Sequence, residues 1–216
     1  SLAITDHGAM FGVIDFYKEC KKAGIKPIIG CEVYTAARKM TDKDPNKDKH
    51  QGHLVLLAKD NDGYRNLIKI VSAGYITGYY YKPRIDKDVL REHSEGIIAL
   101  SACLAGNVQH KLLMGDYEGA KAEAAELLEI FGKGNFYIEM QDQGLEEEAR
   151  INPRLLEISR QLDIPVVATN DVHYVRKSDA VTHDVLLSIQ AATSINDENR
   201  MRFPNDEFYL KREAEM

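Results

Sequence analysis

The sequence has no apolar run approaching the roughly 20 residues that cross a bilayer as a helix, and it opens on no signal-peptide pattern. A transmembrane helix is therefore excluded, no membrane partner is expected, and the expected compartment is the cytoplasm. Cysteine is scarce. Cys20, Cys31 and Cys103 are too few and too scattered for a disulfide framework or a paired-cysteine zinc module, so reduced thiols are expected. Positive charge is not in excess either. A net charge of −6 excludes a nucleic-acid surface that works by bulk positive potential, so phosphates would have to be held by a local device such as a metal cluster. Tandem repeats and low-complexity tracts are absent, and so is an initiator methionine. The chain opens on the strand-like run Ser1-Leu2-Ala3-Ile4-Thr5 and closes on a helix-like run at Lys211 to Met216, which reads as a fragment of something longer.

What is present is a chain of 216 residues, 44% hydrophobic and 29% charged, enough for one large soluble α/β domain or two small ones. Leu2–Thr5 reads as a strand, followed by a helix marked by Met10, Val13, Ile14 and Tyr17 and stopped at Gly24. Further strands are predicted at 27–36, 53–59, 96–102, 136–141 and 165–169, with helices around 64–71, 120–131, 151–162 and 179–191. Residues 37–52 are polar, rich in Lys and Asp, and without a period, so a mobile surface loop is expected there. That loop is too irregular for a crossover helix, which makes strand 53–59 the one expected to run antiparallel. Six strands alternating with helices point to an open doubly wound sheet or a closed barrel.

The strand ends carry the chemistry. Pro165 to Thr169 is a short apolar strand that runs into Asn170-Asp171-Val172-His173, and residues two apart on an extended chain project the same way. His7, Glu32, Cys103, Asp171 and His173 all fall at C-terminal strand ends, where α/β barrels assemble their sites, and His53 opens the reversed strand at the same end. Cys31 and Glu32 face opposite ways, so only one of them can serve that pocket. Oxygen, nitrogen and a single sulfur together suit Zn²⁺, Mn²⁺ or Fe better than Ca²⁺ or Mg²⁺. More than four or five ligands implies more than one ion, and paired ions clamp the entering and leaving oxygens of a phosphoester during hydrolysis.

Thr5-Asp6-His7-Gly8, Gly30-Cys31-Glu32, His53 to Ala58, Ser101-Ala102-Cys103 and Asn170 to His173 resemble the motifs of the polymerase and histidinol phosphatase (PHP) domain family. The likeness is to the version at the N-terminus of bacterial replicative DNA polymerase III alpha subunits, and it extends through Tyr80 to Asp86 and Met201 to Tyr209. It implies a distorted (β/α)7 TIM-like barrel with a cluster of up to three metal ions, spanning residues 1–200, with 201–216 starting the connection to polymerase domains. Carried over by motif, His7, Glu32, His53, Cys103, Asp171 and His173 would be metal ligands, with Asp171, His173 and His7 at the catalytic centre and Asp6 orienting His7. The family's opening strand, with a His-x-His pair and a following Asp, has no counterpart here, so an incomplete cluster and impaired activity are expected.

The implied activity is a metal-dependent 3′–5′ exonuclease acting on the single-stranded 3′ end of a DNA primer, in a parent DNA-directed DNA polymerase. The partners would be the polymerase domains and other replisome subunits. Two alternatives stand beside it, a non-catalytic scaffold that stabilises the polymerase or docks a proofreading subunit, and a free-standing PHP phosphatase. The aromatic and basic run Tyr79 to Arg84 can either stack bases and hold phosphates or pack its tyrosines under neighbouring elements; packing is the expectation. His50, His93 and His110 are expected as solvated side chains, His183 as a helix-packing residue, and Gln143 has no assigned role.

Overall fold

The computed structural model describes residues 1–216. Its strands are β1 (Leu2–Ile4), β2 (Pro27–Ala36), β3 (Gln51–Ala58), β4 (Arg84–Ile85), β5 (Ile97–Leu100), β6 (Phe136–Gln141) and β7 (Val166–Thr169). The helices are α1 (Val13–Lys22), α2 (Asn61–Ile76), α3 (Lys87–Glu92), α4 (Asn107–Leu113), α5 (Tyr117–Phe131), α6 (Glu146–Leu162) and α7 (Ala180–Gln190). Helix starts follow local chemistry. Asp60, Asp86 and Asp116 each accept a hydrogen bond from a backbone N–H in the first turn of α2, α3 and α5, satisfying a donor that the helix leaves unpaired. The helix-like run at the end of the sequence is only a 3-10 turn, Glu213–Glu215.

The sheet runs in the order β1-β2-β3-β5-β6-β7, with β4 paired to the far half of β2. All pairings are parallel except those of β3, which lies antiparallel to both β2 and β5. The expected reversal is thus present, and it brings the start of β3 to the rim where the other strands end. Six strands lie on the main path as counted from the sequence. The seventh, β4, is two residues long and carries no readable period. The sheet curls toward a barrel but does not close, since β1 pairs only with β2 and β7 only with β6.

Side-chain alternation separates two faces. Cys31, Val33, Leu54, Leu56, Ile97, Ala99, Phe136 and Ile138 point outward into a continuous core under the helices. Fully burying one such side chain stabilises the fold by about 1.5–3 kcal/mol. Val55, Leu100 and Ala102 form a smaller inner cluster with Leu57, Ile98, Tyr137 and Val167. Glu32, His53 and Glu139 share the strand parity of that inner face.

The segment 37–50 has no helix or strand, but it is not loose. Arg38 donates to both carboxylate oxygens of buried Asp48, at 2.9 and 2.7 Å. The fully buried Arg84 guanidinium donates to the carbonyls of Met40, Asp42, Asp48 and Gly78 at 2.9–3.3 Å. A mobile loop was the expectation from composition; a buried cation that collects four carbonyls is what fixes it. His50, expected in solvent, stacks on His110 with ring centroids 4.2 Å apart.

Candidate metal centre

The ladder between β1 and β2 continues past the strand and sets the first histidine. Glu32 N–H donates to the Asp6 carbonyl at 3.1 Å and Gly8 N–H donates to the Glu32 carbonyl at 2.8 Å, so His7 lies beside Glu32. The chain must turn at once after His7. Gly8 does so with φ +63°, and a Cβ there would come within 2.9 Å of the Tyr34 ring, a position only glycine fills without strain. Because Tyr34 pairs with His53, the imidazole of His53 lies on the inner face diagonal to Glu32. Cys103 follows Ala102, and Asp171 follows β7; Ala102 and Asp171 both hold the left-handed conformation, φ +66° and +45°, which turns the chain sharply at each strand top.

Glu32 is the hub. Its Oε1 accepts from His53 Nδ1 at 2.7 Å, and its Oε2 lies 3.5 Å from His7 Nε2. His7, Glu32 and His53 each offer a ligand atom within 4.8 Å of the others, a group that can hold a metal ion. Cys103 Sγ lies 3.8 Å from Glu32 Oε1 and 3.7 Å from His53 Nδ1. The His173 ring centroid is 5.9 Å from that of His7, and its Nδ1–H donates to the Asp171 carbonyl at 2.7 Å, which leaves Nε2 as the nitrogen available to a ligand.

Asp6 behaves differently from expectation. It is fixed through its backbone carbonyl, and its carboxylate makes no hydrogen bond to His7. Neighbouring residues on an extended chain point opposite ways, so turning His7 toward Glu32 turns Asp6 outward.

The electrostatics of the pocket favour an added cation. Burial pushes the Asp171 carboxyl up, with Glu32 adding to the effect against His173 and His53. The Cys103 thiol is raised by burial first and then by Asp171 and Glu32. Burial lowers His7, opposed by Glu32 and helped by His53, His173 and Lys82, which favours the neutral, ligand-ready imidazole. Glu32 goes the other way: burial works against its ionisation, but the His53 hydrogen bond and the nearby His7 and His173 outweigh it and hold the carboxyl below its ordinary value. Asp171 and Cys103, which resist ionising, stand beside His7, held toward its neutral form, in a donor set short of positive charge. Mixed nitrogen, oxygen and sulfur donors in such a pocket fit a transition-metal ion.

Residues that sequence reasoning passed over complete the rim. Asn170 donates to the carbonyls of Glu207 and Tyr209 at 3.0 and 2.7 Å, and His173 N–H donates to the Phe208 carbonyl at 2.8 Å. Phe203 then packs on the His173 ring at 4.6 Å and on His183 at 4.9 Å. His183 is thus a packing residue as expected, yet it also stands 5.7 Å from His173. Gln143 is buried, donates to Asn170 Oδ1 at 3.4 Å and accepts from Asn205 through its carbonyl at 2.7 Å, a structural tie under the site.

Comparison with known proteins follows the same strand ends. A family model described as the PHP domain matches residues 1–143. The whole chain is 48% identical to the DNA polymerase III subunit alpha of Thermus aquaticus, 46% to that of Treponema pallidum and 45% to that of Borreliella burgdorferi. It covers 18% of the first two relatives and 19% of the third, so it spans about a fifth of the length of the proteins it matches.

Proposed function

The chain belongs to the PHP domain family, and from that premise we propose that its rim of histidines, carboxylates and one thiol is a metal-dependent phosphoesterase site of a DNA polymerase III alpha subunit. The observation that carries this reading is the convergence of His7, His53 and Cys103 on the two oxygens of Glu32. His7, Glu32, His53, Cys103, Asp171 and His173 would hold the ions, Zn²⁺, Mn²⁺ or Fe, with up to three in a cluster completed by the family's His-x-His strand. Bound there, such ions supply Lewis-acid polarisation of a phosphoryl oxygen and acidify a water molecule.

The residues of the chain do the positioning. The His173 Nδ1–H bond to the Asp171 carbonyl fixes which ring nitrogen is available to a ligand, and the His53 Nδ1 bond keeps Glu32 ionised while buried. The rim opens to solvent at His7, the side from which a phosphodiester can approach. The substrate we propose is the single-stranded 3′ end of a DNA primer, degraded 3′ to 5′, with the polymerase domains and other replisome subunits as partners in the cytoplasm. Closure of the sheet as a distorted (β/α)7 barrel belongs to the same proposal, supported by the unpaired edges of β1 and β7, where Ala3, Val166 and Ala168 are exposed.

The test is release of nucleotides from a 3′-labelled single strand by the zinc- or manganese-loaded chain extended at its N-terminus with the family's His-x-His strand, with Asp171→Asn alongside. Metal-dependent release that falls at least a hundredfold in the variant supports the reading. Intact DNA despite bound metal would falsify it.

A further inference from the structure

The run Tyr79 to Arg84 divides into two jobs. Arg84 is buried and structural, with its guanidinium 5.0 Å from the Tyr80 ring centroid, so the tyrosine that packs is Tyr80. Tyr79 and Tyr81 lie under no other element and are 51% and 65% exposed, with the Tyr81 ring resting on the edge of that packing, 4.5 Å from the Tyr80 ring. Tyr81 holds φ +61°, a left-handed conformation costly for an aromatic residue, and this turn leaves the Tyr81 ring in solvent while Tyr80 covers Arg84.

Two further exposed rings continue the line. Tyr75, at the last turn of α2, is 41% exposed and lies 6.4 Å from Tyr79 between ring centroids. Phe11, on the turn that leaves the candidate metal centre four residues after His7, is 85% exposed and 6.3 Å from Tyr75. Leaving four large rings in water forgoes the burial that stabilises such side chains elsewhere in the fold.

At the inner end stands Lys82. Its Nζ lies over the Tyr34 ring, 5.5 Å from the centroid, and that ring is 6.0 Å from His7 and 5.2 Å from His53. Lys82 is exposed and makes no salt bridge, and its place over Tyr34 beside His7 and His53 is what sets it apart from the other unpaired lysines. A free ammonium at the mouth of a pocket built from carboxylates, joined to a row of bare aromatic faces, calls for a ligand that repeats flat apolar faces and negative charge. Single-stranded nucleic acid has both, whereas a duplex hides its base faces.

We propose that Phe11, Tyr75, Tyr79 and Lys82 form a track that feeds single-stranded DNA into the metal centre, the rings stacking on bases and Lys82 Nζ gripping a backbone phosphate beside His7. The proposal rests on the phosphodiester reading of that centre and names the surface that selects its substrate. Tyr81, on the same exposed loop, extends the track outward.

The experiment is a fluorescence-anisotropy titration of the chain, in chelator so that no hydrolysis intervenes, with a labelled oligodeoxythymidylate of about 10 nucleotides. Wild type should bind it, and an unlabelled duplex should compete poorly. The double variant Phe11→Ala/Tyr79→Ala should bind about tenfold or more weakly with the salt dependence unchanged. Lys82→Gln should lower the slope of log affinity against log salt by about 0.7, the signature of one lost phosphate contact to a single strand. No binding by wild type, variants that bind like wild type, or a duplex that competes as well as the single strand would each overturn the track. Zinc, manganese and iron uptake by every protein, measured separately, reads the metal centre: chains that bind DNA but take up none of the three contradict the phosphoesterase reading and leave the track standing.

Discussion

Glu139 occupies the inner face beneath the candidate centre, and its two oxygens tie together the tops of two strands. Oε2 accepts the Ala102 N–H at 3.0 Å, next to Cys103, while Oε1 accepts from Gln141 Nε2 at 3.2 Å and from the Thr169 hydroxyl, two residues before Asp171. Burial pushes its carboxyl up to about 7, with Glu32 adding to the shift and the hydrogen bonds opposing it. A carboxyl raised in the folded state holds its proton longer there than in the unfolded chain. Its contribution to stability is therefore full below the ordinary carboxylate value near 4.5 and is lost as pH rises through about 7. In metal-free protein, denaturant unfolding should show that Glu139→Gln loses less stability than wild type between pH 5 and pH 8, by up to ~3 kcal/mol. Identical pH trends in the two proteins would remove Glu139 from this role. Nothing in Phe-Tyr-Ile-Glu-Met-Gln distinguishes this carboxylate from an ordinary strand residue; only the register of β5, β6 and β7 puts it under the site. Asp171 and His173 were legible from their place at the end of an apolar strand, although the left-handed turn at Asp171, not strand alternation, sets where they point.

Among the elements, the direction of β3 was legible because 37–52 has no helical period, and a connection without a helix favours an antiparallel return. The state of that connection was not legible. Its Lys and Asp residues suggest a solvated, mobile loop, while the contact that fixes it comes from Arg84, more than 30 residues away in sequence and on the two-residue strand β4. A single buried guanidinium serving four carbonyls leaves them unpaired when it is removed, at a cost of about 1–3 kcal/mol for each group that water cannot reach. Arg84→Met should therefore expose the loop. Limited trypsin digestion should cut the variant at Arg38, Lys39, Lys43, Lys47 or Lys49 at least tenfold faster than wild type, with Arg38→Ala showing a smaller effect through its half-exposed pair with buried Asp48. Equal cleavage rates in wild type and Arg84→Met would show that the loop is held by something else. The tyrosines around Arg84 explain why the run was ambiguous: Tyr80 covers Arg84, while Tyr79 and Tyr81 stay more than half exposed, a division set by the backbone turn at Tyr81 rather than by residue type.

At the scale of the whole molecule, the curled sheet sets one rim of inward-facing donors above an apolar inner cluster, with helices covering the outer face. The α/β class, the six main-path strands and the rim itself followed from alternating periods and from where ligand-type residues fall. The free edges of β1 and β7 and the packing of 203–210 against the His173 turn depend on long-range pairing that no local pattern encodes. A net charge of −6 would leave phosphate recognition to the candidate metal centre and to Lys82 at its mouth rather than to a basic surface. The phosphoesterase reading therefore depends on whether the rim binds metal. The direct measurement is metal content by plasma mass spectrometry after zinc or manganese loading and exhaustive dialysis, for wild type and for Glu32→Gln, with circular dichroism confirming that both are folded. The expected result is at least one ion retained per wild-type chain and loss of most of it in the variant, because His7, His53 and Cys103 converge on that carboxylate. Wild-type protein that retains no ion, or a folded Glu32→Gln chain that retains as much as wild type, would contradict the metal centre described here.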